Sequence, residues 1–418
     1  MTEAMEQKGK EVLLRLMQAG FEAYFVGGCV RDKMLGRRLK DIDIATSALP
    51  DQVIALFPRT VPTGLKHGTV TVIIDGHAFE VTTFRKESEY EQFRRPKQVE
   101  FISDLHEDLR RRDFTVNAMA LDANGRCIDP FGGQEDLRNG QIRCVGNPEE
   151  RFHEDALRML RGIRFACEYG FELERLTWEA LCRHAPLLVH VAIERVTAEL
   201  EKMIEGRSPD RAVSLLVESR LLRYLGQPVE WPLAAWEQAP EPIAKGALAG
   251  LAEPELRWAA LFLLMSMNGQ GVRKALRQLK VSNKKTEAIA VLADADEWFK
   301  SRLDEEDAVP LGCVKFGKQT VFKWLRLAEW QCQTFGAACG LGRLAETGKE
   351  KAARVPIDRI AQLKVNGSDL TAALDKPAGP WLGVLLNELL TEAALGKLPN
   401  EREILIAAAK QRMEHSAR

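Results

Sequence analysis

The sequence lacks any apolar run that could cross a membrane. Its longest run, WAALFLLM at 258–265, falls far short of the roughly 18 apolar residues that a spanning helix needs. The first 30 residues carry charges every few positions and contain no apolar stretch of signal-peptide length. We therefore expect a cytoplasmic protein without membrane attachment, and nothing in the sequence points to a protein partner.

Further absences narrow the chemistry. The eight cysteines include no C-x-x-C pair and no metal-ligand spacing, so we expect reduced thiols that pack as small hydrophobic side chains. No P-loop and no G-x-G-x-x-G sequence occurs, which excludes P-loop and dinucleotide-binding sites. The net charge of −1 argues against indiscriminate binding of polyanions, although local clusters of Lys and Arg could still hold phosphates.

The pattern of the chain changes near residue 148. Before it, short β-branched runs such as DIDIAT and GTVTVII alternate with helical stretches, which indicates a mixed α/β domain. After it the pattern is helical almost throughout, beginning with one long stretch from about Glu149 to Glu168. The predicted fold class is therefore α+β, with a mixed α/β head followed by an all-α remainder.

The stretch YFVGGCVRDKMLGRRLKDIDIATS at 24–47 combines features of a phosphate site and a metal site. Gly27 and Gly28 are predicted at the end of a strand with a helix after them, where backbone N–H groups can approach an anion. In DIDI, the strand period of two puts Asp41 and Asp43 on one face and both isoleucines on the other. The two carboxylates are therefore predicted to converge.

Two adjacent carboxylates repel each other unless a cation lies between them. Mg²⁺ takes oxygen ligands, and proteins commonly hold it by one or two carboxylates together with substrate phosphates. A lone D-x-D is more often a solvated face, and a lone Gly-Gly pair is usually a turn. A Gly-Gly pair that is followed closely by a D-x-D favours metal-assisted nucleotide chemistry.

Six motifs, in the order in which they occur along the chain, resemble those of one protein family. The opening stretch is followed, within residues 20–205, by HGTVTVII, RRDFTVNAMA, DPFGGQEDL, EDALRMLRGIRF and ERVTAEL. This series resembles the nucleotidyltransferase core of bacterial class II tRNA CCA-adding enzymes. A weaker resemblance continues in LRQLKVSNK, VNGSDL and KPAGPWLG.

The resemblance implies template-independent addition of C, C and then A to the 3′ end of tRNA from CTP and ATP, with release of diphosphate. It implies that Asp41 and Asp43 form the catalytic pair and hold two Mg²⁺ ions. It also implies four domains, which are a nucleotidyltransferase head at 1–147, a base-recognising neck at 148–206, and a tRNA-binding body and tail at 207–330 and 331–418.

The same resemblance implies a set of nucleotide-binding residues. These are Gly28, Arg31, Arg112, Asp155, Arg158, Arg161 and Arg164. Within this set, Gly28 and Arg31 would contact the triphosphate, and Arg112 would contact ribose or phosphate. Glu80, in the predicted strand HAFEVTTF, is either a third carboxylate of the site or a partner in a structural salt bridge.

Helical geometry supports a base-reading role for Asp155 and Arg158. On one continuous helix the two lie about 60° apart and opposite an apolar stripe, so they are predicted to project together into a cleft. A guanidinium only donates and a carboxylate only accepts, which matches cytosine and, after a small shift, adenine, but neither uracil nor guanine. On residues alone, an i,i+3 surface salt bridge is the alternative.

The charged segment at 84–101, FRKESEYEQFRRPKQVEF, is predicted to be a flexible loop because it is too polar to pack. It resembles a loop found in CCA-adding and A-adding enzymes. Its candidate functional residues are Arg85, Tyr90, Arg94 and Arg95. We expect it to act as a mobile lever during the change from CTP to ATP.

Three functions stay open on the sequence. The leading one is CCA addition, the second is an A-adding enzyme of the same family, and the third is a non-catalytic tRNA-binding protein on the same fold. The intact pair Asp41 and Asp43 argues against the third. Lys280, Lys284 and Lys285 are candidate tRNA-binding residues, with a solvated helix face as the alternative.

Overall fold

The computed structural model describes residues 2–91, 95–226, 231–232 and 248–416. It divides into two compact units, Met1–Pro228 and Val229–Arg418. Within the described residues, no helix is long and apolar enough to span a bilayer. All eight cysteines are free thiols, as predicted.

The first unit contains the β-structure. Its strands are β1 (Ala23–Val26), β2 (Asp43–Thr46), β3 (Thr60–Gly64), β4 (Thr69–Ile74), β5 (His77–Thr83), β6 (Arg85–Glu91), β7 (Arg95–Phe101), β8 (Ala120–Leu121), β9 (Cys127–Ile128), β10 (Gln141–Ile142) and β11 (Glu172–Leu173). Seven of the described strands form one sheet in the order β3-β4-β5-β2-β1-β8-β9. Only β2 and β5 pair in parallel there, and the other neighbours are antiparallel.

The helices of the first unit surround this sheet and continue beyond it. They are α1 (Thr2–Gln18), α2 (Gly28–Met34), α3 (Pro50–Leu56), α4 (Leu105–Arg110), α5 (Gly133–Asn139), α6 (Pro148–Glu154), α7 (Leu157–Tyr169), α8 (Arg175–His184), α9 (Ile193–Ile204) and α10 (Pro209–Glu218). The mixed head and helical continuation confirm the predicted α+β class. A two-residue parallel pairing of β10 with β11 is the one described exception to the all-α prediction after residue 148.

Burial on the two faces of the sheet explains where the site opens. Helix α1 approaches one face so closely that a Cβ on Gly9 would lie 3.0–3.3 Å from Phe25, Ile42 and Phe79. On the other face, Ala45 belongs to an apolar cluster with residues of α4. Because side chains alternate along a strand, the face that carries Ala45 also carries Asp43, at the uncovered beginning of β2.

The predicted continuous helix from Glu149 to Glu168 is wrong. Helix α6 ends at Glu154, and Asp155 is extended with φ −142° and ψ 102°. Its carboxylate accepts the backbone N–H of Leu157 at 3.1 Å, so it forms a local turn that starts α7. Asp155 therefore lies at a break between two helices and not on a helix face.

The prediction that residues 84–101 form a loop is also wrong, because most of the backbone there forms two strands. Strands β6 and β7 pair as an antiparallel hairpin, with Lys86 opposite Glu100 and Glu91 opposite Arg95. The opposite charges of Lys86 and Glu100 at facing positions favour strand pairing. Residues 92–94 lie outside the described part of the chain.

The second unit is helical in its described residues. Its helices are α11 (Pro254–Leu264), α12 (Gly269–Gln278), α13 (Asn283–Lys300), α14 (Ala308–Phe316), α15 (Lys318–Phe335), α16 (Gly342–Arg354), α17 (Gly367–Ala373), α18 (Pro380–Ala394) and α19 (Arg402–Ser416). Phe299 and Trp324 stack with ring centres 3.8 Å apart and join α13 to α15. A second apolar cluster includes Leu370, Leu389 and Leu405 of α17 to α19.

Candidate active site

Asp41 and Asp43 lie together at the beginning of β2. The strand begins at Asp43, so Asp41 stands just before it, but the alternation predicted for DIDI holds. Ile42 and Ile44 are buried, and both carboxylates line one cavity. The paired acids therefore converge as the strand period predicts.

This cavity, which we call the nucleotide cavity, has a volume of about 520 Å³. Its lining residues are Gly27, Gly28, Arg31, Asp41, Asp43, Arg85, Arg111, Arg112, Asp113, Asn117, Asp155, Leu157, Arg158, Arg161, Phe165 and Arg195. Seven of these described residues are arginines, which makes the cavity suitable for a triphosphate next to the two carboxylates.

The turn between β1 and α2 requires glycine at residue 27. Gly27 has φ +73°, and a Cβ there would lie 2.8 Å from a guanidinium nitrogen of Arg112. Gly28, singled out from the sequence, has no positive φ, and its Cβ would lie 3.4 Å from Arg31. The close approach of the backbone to the arginines therefore depends more on Gly27 than on Gly28.

The charge of Asp43 is disfavoured by its surroundings. Burial, together with the neighbouring charges of Asp41 and Glu80, raises the pKa of Asp43 to about 6, although Arg112 opposes this. Glu80 faces Asp43 across the parallel pairing of β2 and β5. Among the described residues Glu80 has no ion-pair partner, so the salt-bridge alternative has no support there, and its role as a third carboxylate stays a prediction.

Arg112 is aimed into the cavity by a buried carboxylate. Its guanidinium contacts Asp108 at 3.4 Å and the carbonyl oxygen of Asn117 at 3.5 Å. Its Nε is buried and has no hydrogen-bond partner among the described residues. A buried donor without a partner is costly, so this atom is available for an anionic ligand.

Asp155 and Arg158 both line the cavity, but they do not form a pair. Arg195 donates to the Asp155 carboxylate at 2.8 Å. Arg158 is buried and donates to Glu154 at 2.5 Å and to the Arg111 carbonyl oxygen at 2.9 Å. The i,i+3 salt bridge considered from the sequence is therefore absent here, and each member of the predicted base-reading pair has another charged partner.

Two more predicted arginines are fixed inside the cavity. Arg161 forms an ion pair with Asp113 at 2.7 Å. Burial alone would raise the pKa of Asp113, but the charge of Arg161 and a hydrogen bond from Asn117 lower it to about 2. Arg31 donates to the side chain of Asn117, and its guanidinium lies 4.5 Å from the Tyr169 ring centre.

Of the remaining predicted residues of the first unit, one lines the nucleotide cavity, one faces a second cavity and three have side chains outside the described residues. Arg85 lines the nucleotide cavity, and its backbone N–H donates to Asp108 at 3.3 Å. Arg164 does not line it, because it pairs with Glu199 and faces a second cavity. The side chains of Tyr90, Arg94 and Arg95 lie outside the described residues.

The predicted tRNA-binding lysines belong to the second unit. Lys280 has φ +56° after the end of α12, and Lys284 and Lys285 are in the first turn of α13. Cations at a helix N-terminus are electrostatically unfavourable, so helix stability does not explain these two lysines. Arg273 of α12 pairs with Glu287 and Asp294 of α13 and is part of the packing of these two helices.

Sequence reasoning missed several residues of the cavity. These are Arg111, Asp113, Asn117, Leu157, Phe165 and Arg195. Most of them stand inside the motifs RRDFTVNAMA and ERVTAEL. The signal is present in the sequence, but only the fold reveals which residues of a motif face the cavity.

The donor set fits a hard divalent cation. Two carboxylates provide oxygen ligands, and the raised pKa of Asp43 reflects negative charge that a cation would compensate. Across the described residues, no group of three or more His, Cys, Asp or Glu side chains could hold a metal by itself. The coordination sphere therefore needs other oxygens, and substrate phosphates supply them.

Comparison with protein families identifies the type of domain that contains the site. Residues 23–143 match a family described as the poly A polymerase head domain, residues 170–228 match an RNA- and SrmB-binding site of polymerase A, and residues 250–409 match tRNA nucleotidyltransferase domain 2. The mixed sheet, the paired carboxylates and these matches define a nucleotidyltransferase.

Comparison with individual proteins shows which family of nucleotidyltransferases the chain belongs to. The chain is 39% identical over 420 residues to the CCA-adding enzyme of Geobacillus stearothermophilus, covering 97% of each. It is 42% identical over 398 residues to that of Bacillus cytotoxicus, covering 94% of this chain and 95% of the relative. The crystal structure of Bacillus stearothermophilus CCA-adding enzyme in complex with CTP superposes with a TM-score of 0.83 at 37% identity, covering 99% and 98%. The chain belongs to the CCA-adding enzyme family, which generally uses a divalent metal ion.

Replacing Gly27 by Ala should weaken nucleotide binding by about tenfold or more. The added Cβ would meet Arg112 and would force a strained backbone, a cost of about 1–3 kcal/mol. Titration calorimetry with CTP measures the effect. Gly28→Ala is the matched comparison and should lose less affinity, and a larger loss for Gly28→Ala would contradict the assignment.

Replacing Asp43 by Asn should stabilise the metal-free protein at alkaline pH. The pKa of Asp43 is higher in the folded protein than in the unfolded chain, so the folded state loses stability as pH rises from about 4 to about 6. At pH 8 with a chelator we expect Asp43→Asn to be more stable by roughly 1–3 kcal/mol, and near pH 3.5 the difference should largely vanish.

Urea denaturation at the two pH values measures this difference. Asp51→Asn, at an exposed position in the first turn of α3, is the control and should not be more stable than wild type at pH 8. Equal stabilities of wild type and Asp43→Asn at pH 8 would contradict the expected electrostatic strain.

Proposed function

We propose that this chain adds C, C and A, one nucleotide at a time and without a template, to the 3′ end of tRNA. CTP and ATP are the donors, and diphosphate is released at each step. The observation that carries the proposal is the arginine-lined cavity that ends at Asp41 and Asp43, in a chain that resembles CCA-adding enzymes over nearly its whole length. A cytoplasmic location fits these substrates and stays a prediction.

Asp41 and Asp43 are proposed to hold two Mg²⁺ ions. When bound, the ions neutralise phosphate charge and activate the attacking 3′-hydroxyl. The chain's own residues orient the donor nucleotide, with Arg31 and Arg112 on the triphosphate. The buried Nε of Arg112 supports this assignment, because it offers a donor that the protein itself leaves unused.

Asp155 and Arg158 are proposed to read the base. Both line the nucleotide cavity, but each is already engaged, Asp155 by Arg195 and Arg158 by Glu154. A base with the right donors and acceptors can replace part of these interactions, whereas a wrong base would leave buried charges less well paired. Selection is therefore an exchange of partners and does not rely on a free pair.

The alternatives differ in how much supports them. An A-adding enzyme needs the same cavity, but the relatives that match the whole chain are named CCA-adding enzymes. A non-catalytic tRNA-binding protein would not need two carboxylates whose charges disfavour each other. We also propose that the hairpin of β6 and β7 assists the addition of the terminal A. The division into four domains, with boundaries at residues 147, 206 and 330, stays a proposal as well.

The test is extension of a tRNA transcript that lacks CCA, with sequencing of its 3′ ends. Wild-type protein with CTP and ATP should give ends that finish as CCA. Extension of only those transcripts that already end in CC would instead establish the A-adding alternative. Asp43→Ala should be inactive, with its tRNA affinity unchanged within a few-fold. Asp51→Ala, which replaces an exposed acid outside the cavity lining, should retain activity.

Replacing Asp155 by Asn should reduce the preference for CTP over UTP by at least about tenfold. The amide brings donors to a position where cytosine needs an acceptor for its N4 amino group. Single-nucleotide incorporation rates with each triphosphate measure this preference. Glu150→Gln, at an exposed position of α6 outside the cavity lining, is the control. An unchanged preference in Asp155→Asn would remove Asp155 from base reading.

Neutralising Lys280, Lys284 and Lys285 together should weaken tRNA binding and flatten its dependence on salt. For each phosphate that the protein no longer binds, the slope of log K against log salt should decrease in magnitude by about 0.7–0.9. Fluorescence anisotropy at several salt concentrations measures the slope. Lys364→Gln, an exposed lysine elsewhere in the second unit, is the control. An unchanged slope in the triple variant would identify the cluster as a solvated face.

A further inference from the structure

A second cavity of about 700 Å³ adjoins the nucleotide cavity within the first unit. Three segments form it, which are the connection between α2 and β2, the C-terminal half of α7, and the end of α9 with the turn that follows. Its lining residues are Arg37, Lys40, Asp41, Arg164, Cys167, Glu168, Lys202, Met203, Glu205, Gly206, Arg207 and Ser208. Asp41 lines both cavities, so the two meet at the catalytic pair.

The second cavity carries an excess of positive charge. Five of its described lining residues are cationic and three are acidic. Arg164 and Lys202 both pair with Glu199. Within the described part of the chain, the remaining three cations, Arg37, Lys40 and Arg207, have no carboxylate partner. Charges that the protein does not neutralise attract an anionic ligand.

Arg37 is held in position although it has no acidic partner among the described residues. Its backbone N–H donates to the Asp32 carbonyl oxygen at 2.8 Å, and its guanidinium lies 4.6 Å from the ring centre of Tyr169. The segment that ends at Asp41 is thereby tied to the end of α7. A cation fixed in this way, in a cavity that Asp41 also lines, loses little freedom when it binds an anion.

Nucleotidyl transfer requires a second substrate at the catalytic pair. The 3′-hydroxyl oxygen forms a bond to the α-phosphorus, the bond from that phosphorus to the bridging oxygen of diphosphate breaks, and the hydroxyl proton passes to solvent. The donor nucleotide occupies the arginine-lined cavity, so the acceptor must reach Asp41 from another direction. The second cavity provides such an approach.

We propose that the second cavity holds the last phosphodiesters of the acceptor RNA strand, with Arg37, Lys40 and Arg207 contacting the phosphates. The inference rests on the proposed function and adds the place of the second substrate. Phosphate contacts carry no sequence information. The same cavity can therefore hold an end that changes from the unextended tRNA to C and then to CC.

The test compares Lys40→Gln, Arg207→Gln and the double variant in extension assays with tRNA lacking CCA. We expect the KM for RNA to rise about three- to tenfold in each single variant and more in the double variant, while the KM for CTP stays within twofold. The slope of log Kd for RNA against log salt should fall by about 0.7 for each phosphate of a single strand that the variant no longer binds. The same changes should appear with a minihelix that contains only the acceptor stem.

Arg38→Gln is the matched control, because Arg38 is exposed in the same connection but does not line the cavity. Thermal melting of every variant establishes that it is folded. Wild-type extension with an unchanged KM and salt slope in the double variant would overturn this inference and leave the proposed function intact. An equal rise of the KM for CTP would also overturn it. A wild-type protein that extends no tRNA would overturn the proposed function and the inference together.

Discussion

The site depends on keeping Asp43 ionised in a place that disfavours its charge. Burial, Asp41 and Glu80 all raise its pKa, and Arg112 opposes them. A rigid sheet is needed to hold like charges this close, and α1 and α4 cover its two faces. Gly27 is part of the same constraint, because a side chain there would displace Arg112. A cation held by Asp41 and Asp43 would offset the effects that raise the pKa of Asp43, so the arrangement favours binding of a cation.

The arginines of the nucleotide cavity differ in how readily they can exchange partners. Arg161 pairs with Asp113, a nearly fully buried carboxylate whose pKa is about 2. Arg158 pairs with Glu154, whose side chain is 21% exposed. Leaving a carboxylate without its partner costs more when it is more deeply buried. Loss of Arg158 would therefore cost Glu154 less than loss of Arg161 would cost Asp113, which is consistent with the base-reading role proposed for Arg158.

Features of the site that depend on neighbouring residues in the sequence could be predicted, and features that depend on contacts between distant residues could not. The convergence of Asp41 and Asp43 follows from strand period and from the burial of the intervening isoleucine, which are local properties, and the structure agrees. The break at Asp155 does not follow locally, because an aspartate within an amphipathic pattern looks the same in a helix and in a turn. Its partner Arg195 is 40 residues away in the sequence. The hairpin of β6 and β7 does not follow from the sequence either, because the segment lacks the apolar alternation by which strands are usually recognised.

The two cavities would bind their proposed ligands by different physical means. In the nucleotide cavity Arg158 and Arg161 are already paired with carboxylates, so a ligand must offer complementary groups in the right geometry to compensate for any pair that it disturbs. In the second cavity Arg37, Lys40 and Arg207 have no carboxylate partner among the described residues, so any phosphate is attracted without such a requirement. The paired arginines of the nucleotide cavity would discriminate between bases, whereas those three cations of the second cavity would accept an RNA end of any sequence. An enzyme that adds a defined sequence to an end that changes at every step needs both, and they meet at Asp41.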